Sequence, residues 1–251
     1  MIKLVVSDVD GTLLMPKKES VDEKVLSAVK KLKEKGKHTA VASGRTYASL
    51  EKLFGAVSDG LYFICCDGAV IVRNGKPIYS KQISSTDIFS VIRYHEGSAV
   101  VLCTPKKSYV LSGGENVAQL VEKQTGEKPA MLERLYDLTE PVCKIAVFSD
   151  EGKAEPMKFM PKSLRVSYLA HGWCEYTSAI ADKGLAVSEL QARLYLSKFD
   201  TACIGDGEND AEMMKKAHVA VSANNNHPCL DGVCNHHTDD AAGFLERLCD
   251  M

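Results

Sequence analysis

Two short acidic motifs, one near each end of the chain, set the strictest condition on its fold. The first reads Val6-Ser7-Asp8-Val9-Asp10-Gly11-Thr12-Leu13 and the second Gly205-Asp206-Gly207-Glu208-Asn209-Asp210. The first follows the apolar run Ile2-Lys3-Leu4-Val5-Val6 and the second follows Thr201-Ala202-Cys203-Ile204, both of which read as buried strands. A two-residue step along extended chain points Asp8 and Asp10 to the same side, so their carboxylates are expected to crowd one spot at the strand's end. Crowding of that kind is costly unless a cation sits between the groups, and carboxylates together with phosphate oxygens are the hard ligands that Mg2+ prefers. An Asp-Gly turn after a strand would explain the first motif alone. The second motif turns the reading toward a metal and phosphate site.

Two further segments suit the same chemistry. Thr39-Ala40-Val41-Ala42 is a short apolar strand that runs into Ser43-Gly44-Arg45-Thr46 before a helical pattern through Tyr47, Leu50, Leu53 and Phe54. A hydroxyl, a glycine and free backbone N–H groups at a helix start form an anion pocket. Ser43 equally suits a simple helix cap, and Arg45 suits either phosphate contact or an ion pair. Asp182-Lys183-Gly184 opens another helix, with Leu185, Val187, Leu190 and Leu194 as its apolar positions and Asp182 as the expected N-cap that aims Lys183. Each motif follows a strand and precedes a helix or loop. In an open parallel sheet the strand ends line one edge, so segments distant in sequence meet there.

Taken in order, Asp8-Val9-Asp10-Gly11-Thr12, Ser43-Gly44-Arg45, Asp182-Lys183-Gly184 and Gly205-Asp206 through Asn209-Asp210 give the chain its resemblance. It resembles haloacid dehalogenase superfamily phosphatases of the Cof-like sugar-phosphatase branch over essentially its full length. The resemblance implies an α/β fold: a doubly wound, Rossmann-like parallel sheet core with an inserted α+β cap. It implies that Asp8 is the nucleophile that becomes an aspartyl-phosphate and that Asp10 is the general acid and then the general base. Lys183 would offset charge at the reacting phosphoryl group. Ser43, Gly44, Asn209 and, less firmly tied to the motif, Arg45 would hold its other oxygens. Mg2+ would be held by Asp8, Asp10 through its backbone carbonyl, and Asp206, with Asp210 gripping a metal-bound water.

Composition narrows the alternatives. The 251 residues carry a net charge of −2, with 45% hydrophobic and 25% charged residues, ordinary values for a globular chain. Basic tracts are missing, which argues against nucleic acid as partner, and no apolar run reaches the length of a membrane span. A small phosphorylated metabolite is the expected partner and the cytoplasm the expected location. Nine cysteines without paired spacing suit a reducing compartment. The group His227, Cys229, Cys234, His236 and His237 matches no tight zinc spacing.

Residues 1–83 and 179–251 hold every phosphate motif and alternate strand with helix, so they are expected to form the core, with 84–178 as the cap. Ser20-Val21-Asp22-Glu23 reads as a capping box before the stripe Val25, Leu26, Val29 and Leu32, and Asn74-Gly75 reads as a hairpin turn. Lys106, Lys107, His171 and Trp173 are the candidate cap contacts. Two positions depart from the family pattern: Asp67-Gly68-Ala69 where Asn-Gly-Ala is usual, and Ser222-Ala223-Asn224 where Gly-Asn-Ala is common. The added Asp67 charge points toward less anionic or cationic leaving groups. Two other functions fit the motifs, a phosphomutase of the phosphomannomutase type and a non-catalytic sugar-phosphate sensor. The first lacks an arginine cluster in 84–178, where only Arg93, Arg134 and Arg165 stand, and the second is disfavoured by the complete acidic set.

Overall fold

A computed structural model describes residues 1–111, 114–149, 154–224 and 226–251. From the N-terminus come β1 (Leu4–Asp8), α1 (Glu23–Glu34), β2 (His38–Ala42), α2 (Tyr47–Phe54), β3 (Tyr62–Cys65), β4 (Val70–Arg73) and β5 (Lys76–Ser80). The middle of the chain forms α3 (Ser85–Tyr94), β6 (Ala99–Cys103), β7 (Ser108–Leu111), α4 (Glu115–Thr125), β8 (Ala130–Leu132), β9 (Lys144–Phe148), β10 (Leu164–Ala170) and β11 (Trp173–Ser178). The last part contributes α5 (Lys183–Arg193), β12 (Thr201–Gly205), α6 (Ala211–Met214), β13 (Val219–Ala223), β14 (His236–Thr238) and α7 (Ala241–Leu248).

The strands make two sheets. The larger runs β14-β13-β12-β1-β2-β3-β4-β5, parallel from β14 to β3 and closed at one side by the antiparallel strands β4 and β5. Every residue of β1 and β12 is buried, as expected of parallel strands covered on both faces. Helices α1, α2 and α7 pack on one face through Val25, Leu32, Leu50, Phe54, Phe244 and Leu248, around Val5, Val41, Phe63 and Ile204. Helices α5 and α6 cover the other through Val187, Leu190, Met213 and Met214, against Leu4, Val6, Ala40 and Cys203. This is the α/β, doubly wound arrangement that the motif order implies.

The smaller sheet runs β10-β11-β9-β6-β7-β8, antiparallel except for the β7–β8 pair. Helix α3 packs on its outer face, through Ile88 and Val91 against Leu102, Ile145, Cys174 and Tyr176. On the inner face Val101, Cys103, Ala146 and Phe148 meet Val117 and Val121 of α4 and join the main core cluster. We propose that core and cap part at 83/84 and 178/179, positions that leave each sheet whole.

Local signals fared unevenly. Asn74 and Gly75 have φ of 49° and 71°, the two left-handed positions that a tight hairpin turn demands. Helix α1 begins at Glu23 with Asp22 as its N-cap and no side-chain cap bond, so the capping box expected from Ser20 does not form. Strand β8 escapes the periodicity because it is three residues long and buries only Leu132.

Candidate active site

The order of the large sheet reverses between β1 and β12: from β1 the chain moves to β2 on one side, and it later returns to β12 on the other. Ligand sites of doubly wound sheets form at such a reversal, where diverging loops leave a crevice at the carboxyl ends. Asp8 is the last residue of β1, and Asp206 follows β12 directly. One carboxylate oxygen from each of Asp8, Asp206 and Asp210 lies within 4.8 Å of the others, and no other group of three or more His, Cys, Asp or Glu side chains converges in that way among the described residues.

Lys183 organises this cluster. It begins α5, whose N-cap Asp182 accepts from the Leu185 N–H at 2.8 Å, as the sequence predicts. Its ammonium donates to Asp8 Oδ1 at 2.6 Å and to Asp210 Oδ1 at 2.7 Å, with the residue only 1% exposed. Burial by itself would lower the lysine pKa, but Asp210 and Asp8 more than offset it, and the ammonium is held charged. For Asp8, burial and the Asp210 charge push the carboxyl upward against the pull of Lys183. Asp210 Oδ2 accepts the N–H groups of Asp206 and Gly207 at 3.1 and 2.9 Å, so this side chain shapes the loop as well as holding the lysine.

Asp8 Oδ2 is buried with no hydrogen-bond partner. An orphaned carboxylate oxygen beside two further carboxylates is the donor set that a hard divalent cation satisfies. Asp206 Oδ1 accepts from Thr12 Oγ1 at 2.6 Å, which fixes its orientation. Gly11 makes the approach possible: a Cβ there would sit 2.3 Å from Asp206 Oδ2, and its φ of +94° favours glycine in any case.

Asp10 differs from the expectation of a shared spot with Asp8. It lies beyond the strand, its side chain is 47% exposed, and its carboxylate is outside the convergent cluster. Arg45 Nη2 donates to Asp10 Oδ1 at 2.8 Å, Arg45 Nε reaches both oxygens at 3.0 Å, and Ser43 Oγ donates to Oδ2 at 3.0 Å. Strand β1 ends at Asp8, and both side chains line the same cleft, but Arg45 and Ser43 draw the Asp10 carboxylate away from that of Asp8. Ser43 does not cap α2; Thr46 does, accepting from the Ser49 N–H. Gly44 has no side chain to intrude on Asp67, whose carboxylate would lie 3.1 Å from a Cβ there, and Asn209 Nδ2 donates to Asp67 Oδ1 at 3.4 Å. All of the predicted residues except Asp206 line one cleft of about 1180 Å³ between the two sheets, and Asp206 borders it through Asp8 and Asp210.

Several residues that touch this site are given no role by the sequence alone. Thr12 orients Asp206, and Asn224 Nδ2 donates to the Gly11 carbonyl at 2.7 Å, giving the unusual Ser222-Ala223-Asn224 segment a role in holding the first loop. Pairs that tie the two parts of the chain together beside the cleft include Thr46 with Glu127, Arg45 Nη1 with the Thr125 carbonyl at 3.1 Å, and Lys144 Nζ with the Gly44 carbonyl at 2.6 Å. Of the candidate cap contacts, His171 and Trp173 line the cleft; Lys106 instead pairs with Glu140 at 3.2 Å, and Lys107 lies over the Tyr109 ring. The histidines and cysteines between 227 and 237 are engaged separately. His227 accepts from the Cys229 N–H, His237 bonds Ser222, and His236 packs on Phe244. All nine cysteines are free thiols, and no helix among the described residues is long and apolar enough to cross a membrane.

The family model for haloacid dehalogenase-like hydrolases matches residues 5–243. The chain belongs to that family. Among curated relatives, the 5-amino-6-(5-phospho-D-ribitylamino)uracil phosphatase YbjI of Escherichia coli is 23% identical over 89% of this chain and 86% of that protein. An HMP-PP phosphatase of Escherichia fergusonii is 23% identical over 85% of this chain and 81% of its own length. A haloacid dehalogenase-like hydrolase from Bacteroides thetaiotaomicron superposes with a TM-score of 0.84 at 22% identity, covering 99% of this chain and all of the other (100%). The chain is an enzyme of the superfamily's phosphatase class, with the core-and-cap architecture common to it.

Proposed function

We propose that this enzyme is a Mg2+-dependent phosphatase that hydrolyses small phosphate monoesters through an aspartyl-phosphate on Asp8. The observation that carries the reading is the divided state of the Asp8 carboxylate: Oδ1 is fixed by Lys183 at 2.6 Å, while Oδ2 is buried, unpartnered and adjacent to Asp206 and Asp210. Lys183 orients the carboxylate through one oxygen and leaves the other, beside two further carboxylates, as a hard donor for the cation. Asp8, Asp206 and the Asp10 backbone would hold Mg2+, which when bound would offset the charge of the ester and of the attacking carboxylate.

The remaining steps use the chain's own side chains. An Asp8 oxygen attacks phosphorus to form the acyl-phosphate, and the bond from phosphorus to the leaving alcohol breaks with its electron pair going to the alcohol's oxygen. Lys183 stabilises negative charge on the transferring group, and Ser43, the Gly44 N–H and Asn209 fix its other oxygens. Asp10, at the mouth of the cleft, gives a proton to the leaving oxygen and then takes one from the water that opens the acyl-phosphate. For that exchange, Arg45 and Ser43 must turn from Asp10 toward the phosphate. The pairs that join cap to core, Lys144 with Gly44 and Arg45 with Thr125, would close the site against bulk water.

Hydrolysis is favoured over mutase chemistry because a mutase needs a second phosphate grip in the cap. Of the three cap arginines only Arg165 lines the cleft. The test is phosphate release from a panel of sugar phosphates, phosphoglycolate and pyridoxal phosphate, with Mg2+ and with EDTA. Release that disappears with EDTA and returns with Mg2+ supports the reading. Isomerisation of a hexose phosphate with little release would replace it.

A further inference from the structure

We infer that the cap side of the cleft is built for a flat, ring-shaped leaving group that carries a hydrogen-bond donor or positive charge, stacked on Trp173 and facing Asp67 and Glu175. The inference rests on the phosphatase reading and names the kind of ester that the site prefers.

The wall comes from neighbouring strands of the small sheet. Register pairs Trp173 of β11 with Phe148 of β9, and the bulge between Val166 and Tyr168 brings Tyr168 of β10 onto the same face. The ring centroids lie 4.3 Å apart for Trp173–Phe148 and 5.9 Å apart for Trp173–Tyr168, and all three side chains line the cleft. Such a wall offers a broad π surface to a planar group and little to a puckered polyol.

The polar groups next to it are acceptors. Glu175 takes the Trp173 indole N–H on Oε1 at 3.1 Å and the Lys144 ammonium on Oε2 at 2.9 Å. Lys144 also donates to the Gly44 carbonyl at 2.6 Å, so its charge is spent on the protein. Asp67 is close enough to the pair for its charge to act on both, and among the described residues the one side-chain donor it receives is Asn209 at the long distance of 3.4 Å. Arg165, the remaining cap cation on the cleft, gives its Nε to the Ala181 carbonyl at 2.7 Å. Between the phosphate pocket and the aromatic wall, then, a leaving group meets the Asp67 carboxylate, whose charge is left over once Lys144 and Glu175 have paired with each other. A second phosphate or a carboxylate there would be repelled, whereas an amine or ring N–H would be bound.

Three esters of matched size separate the two elements: para-(aminomethyl)benzyl phosphate, its cyclohexane counterpart, and para-carboxybenzyl phosphate, with acetyl phosphate as a generic substrate. The expected kcat/KM for the benzylamine ester is about 10-fold or more above each of the other two. Trp173→Leu should bring the benzyl-to-cyclohexyl ratio close to one and Trp173→Phe should restore it, which separates loss of stacking from loss of folding. Asp67→Asn should shrink the preference for amine over carboxylate. Because Trp173 is the chain's one tryptophan, quenching of its fluorescence by the benzylamine ester in the Asp8→Asn protein reads contact without turnover. Equal kcat/KM for the three esters, a preference for the carboxylate, or ratios unmoved by both substitutions would overturn the inference while leaving the phosphatase reading intact. Failure to hydrolyse even acetyl phosphate with Mg2+ would overturn both.

Discussion

Lys183 donates to Asp8 across 2.6 Å and to Asp210 across 2.7 Å, so one buried cation bridges two neighbouring carboxylates in the interior. Removing one member of a buried, hydrogen-bonded charge set leaves the others uncompensated, which costs about 3–5 kcal/mol. Lys183→Met should therefore lower unfolding free energy by an amount in that range at neutral pH, as well as abolish turnover. Burial and Asp210 already push the Asp8 carboxyl upward, so in the variant Asp8 protonates more readily and the deficit shrinks as pH falls. Urea titrations at two pH values in the absence of metal measure both effects. A variant as stable as the parent would show that the ammonium is not the group holding the pair.

Asp10 should matter in proportion to how badly the leaving group needs a proton. With Asp10→Asn, kcat for an alkyl phosphate is expected to fall by about 10²–10⁴, and for p-nitrophenyl phosphate, whose alcohol leaves unaided, by much less in the phosphorylation step. Burst kinetics with the two esters separate phosphorylation from breakdown of the intermediate. Equal losses in the first step would remove Asp10 as its proton donor.

Thr12 holds Asp206 by a 2.6 Å hydrogen bond, and under the proposed Mg2+ role it should set the metal requirement through that contact. Loss of such an outer partner typically weakens metal affinity about 10–100-fold. Thr12→Val should raise the Mg2+ concentration for half-maximal activity by that factor and restore most of kcat at saturating metal. A change in kcat alone would place Thr12 in some other role.

His95 gives the cap an acid-sensitive point. It is 6% exposed, lies 2.8 Å from the Tyr176 hydroxyl, and burial lowers its pKa from 6.5. The unfolded chain thus binds a proton at a pH where the folded chain does not. The stability contribution is complete above pH 6.5 and is lost as pH falls through and below that value. In His95→Gln the slope of urea midpoint against pH between neutrality and pH 5 should be shallower than in the parent. Parallel slopes would assign the acid sensitivity to other groups.

The parallel core was legible because its strands are buried on both faces: Leu4-Val5-Val6 and Thr201-Ala202-Cys203-Ile204 read as apolar runs that end in acidic loops. Lys183 was legible because Asp182 caps its helix and fixes the start. Asp10 lines the same cleft as Asp8, in keeping with the two-residue alternation, but Arg45 and Ser43 hold its carboxylate outside the convergent cluster, and alternation does not encode those partners. Contacts such as Thr46 with Glu127, or Lys144 with the Gly44 carbonyl, lie 81 and 100 residues apart, and no periodicity encodes them. Trp173 was visible as a candidate, but its partners Phe148 and Tyr168 come from strand register and a bulge.

Whether Asp8 carries the phosphoryl group is decided by acid quenching during steady-state turnover with Mg2+, followed by peptide mass spectrometry. The expected result is a peptide containing Asp8 heavier by one phosphoryl group, labile to hydroxylamine and absent from Asp8→Asn protein, which should also be inactive. A phosphorylated peptide that lacks Asp8, or undiminished turnover by Asp8→Asn, would contradict it.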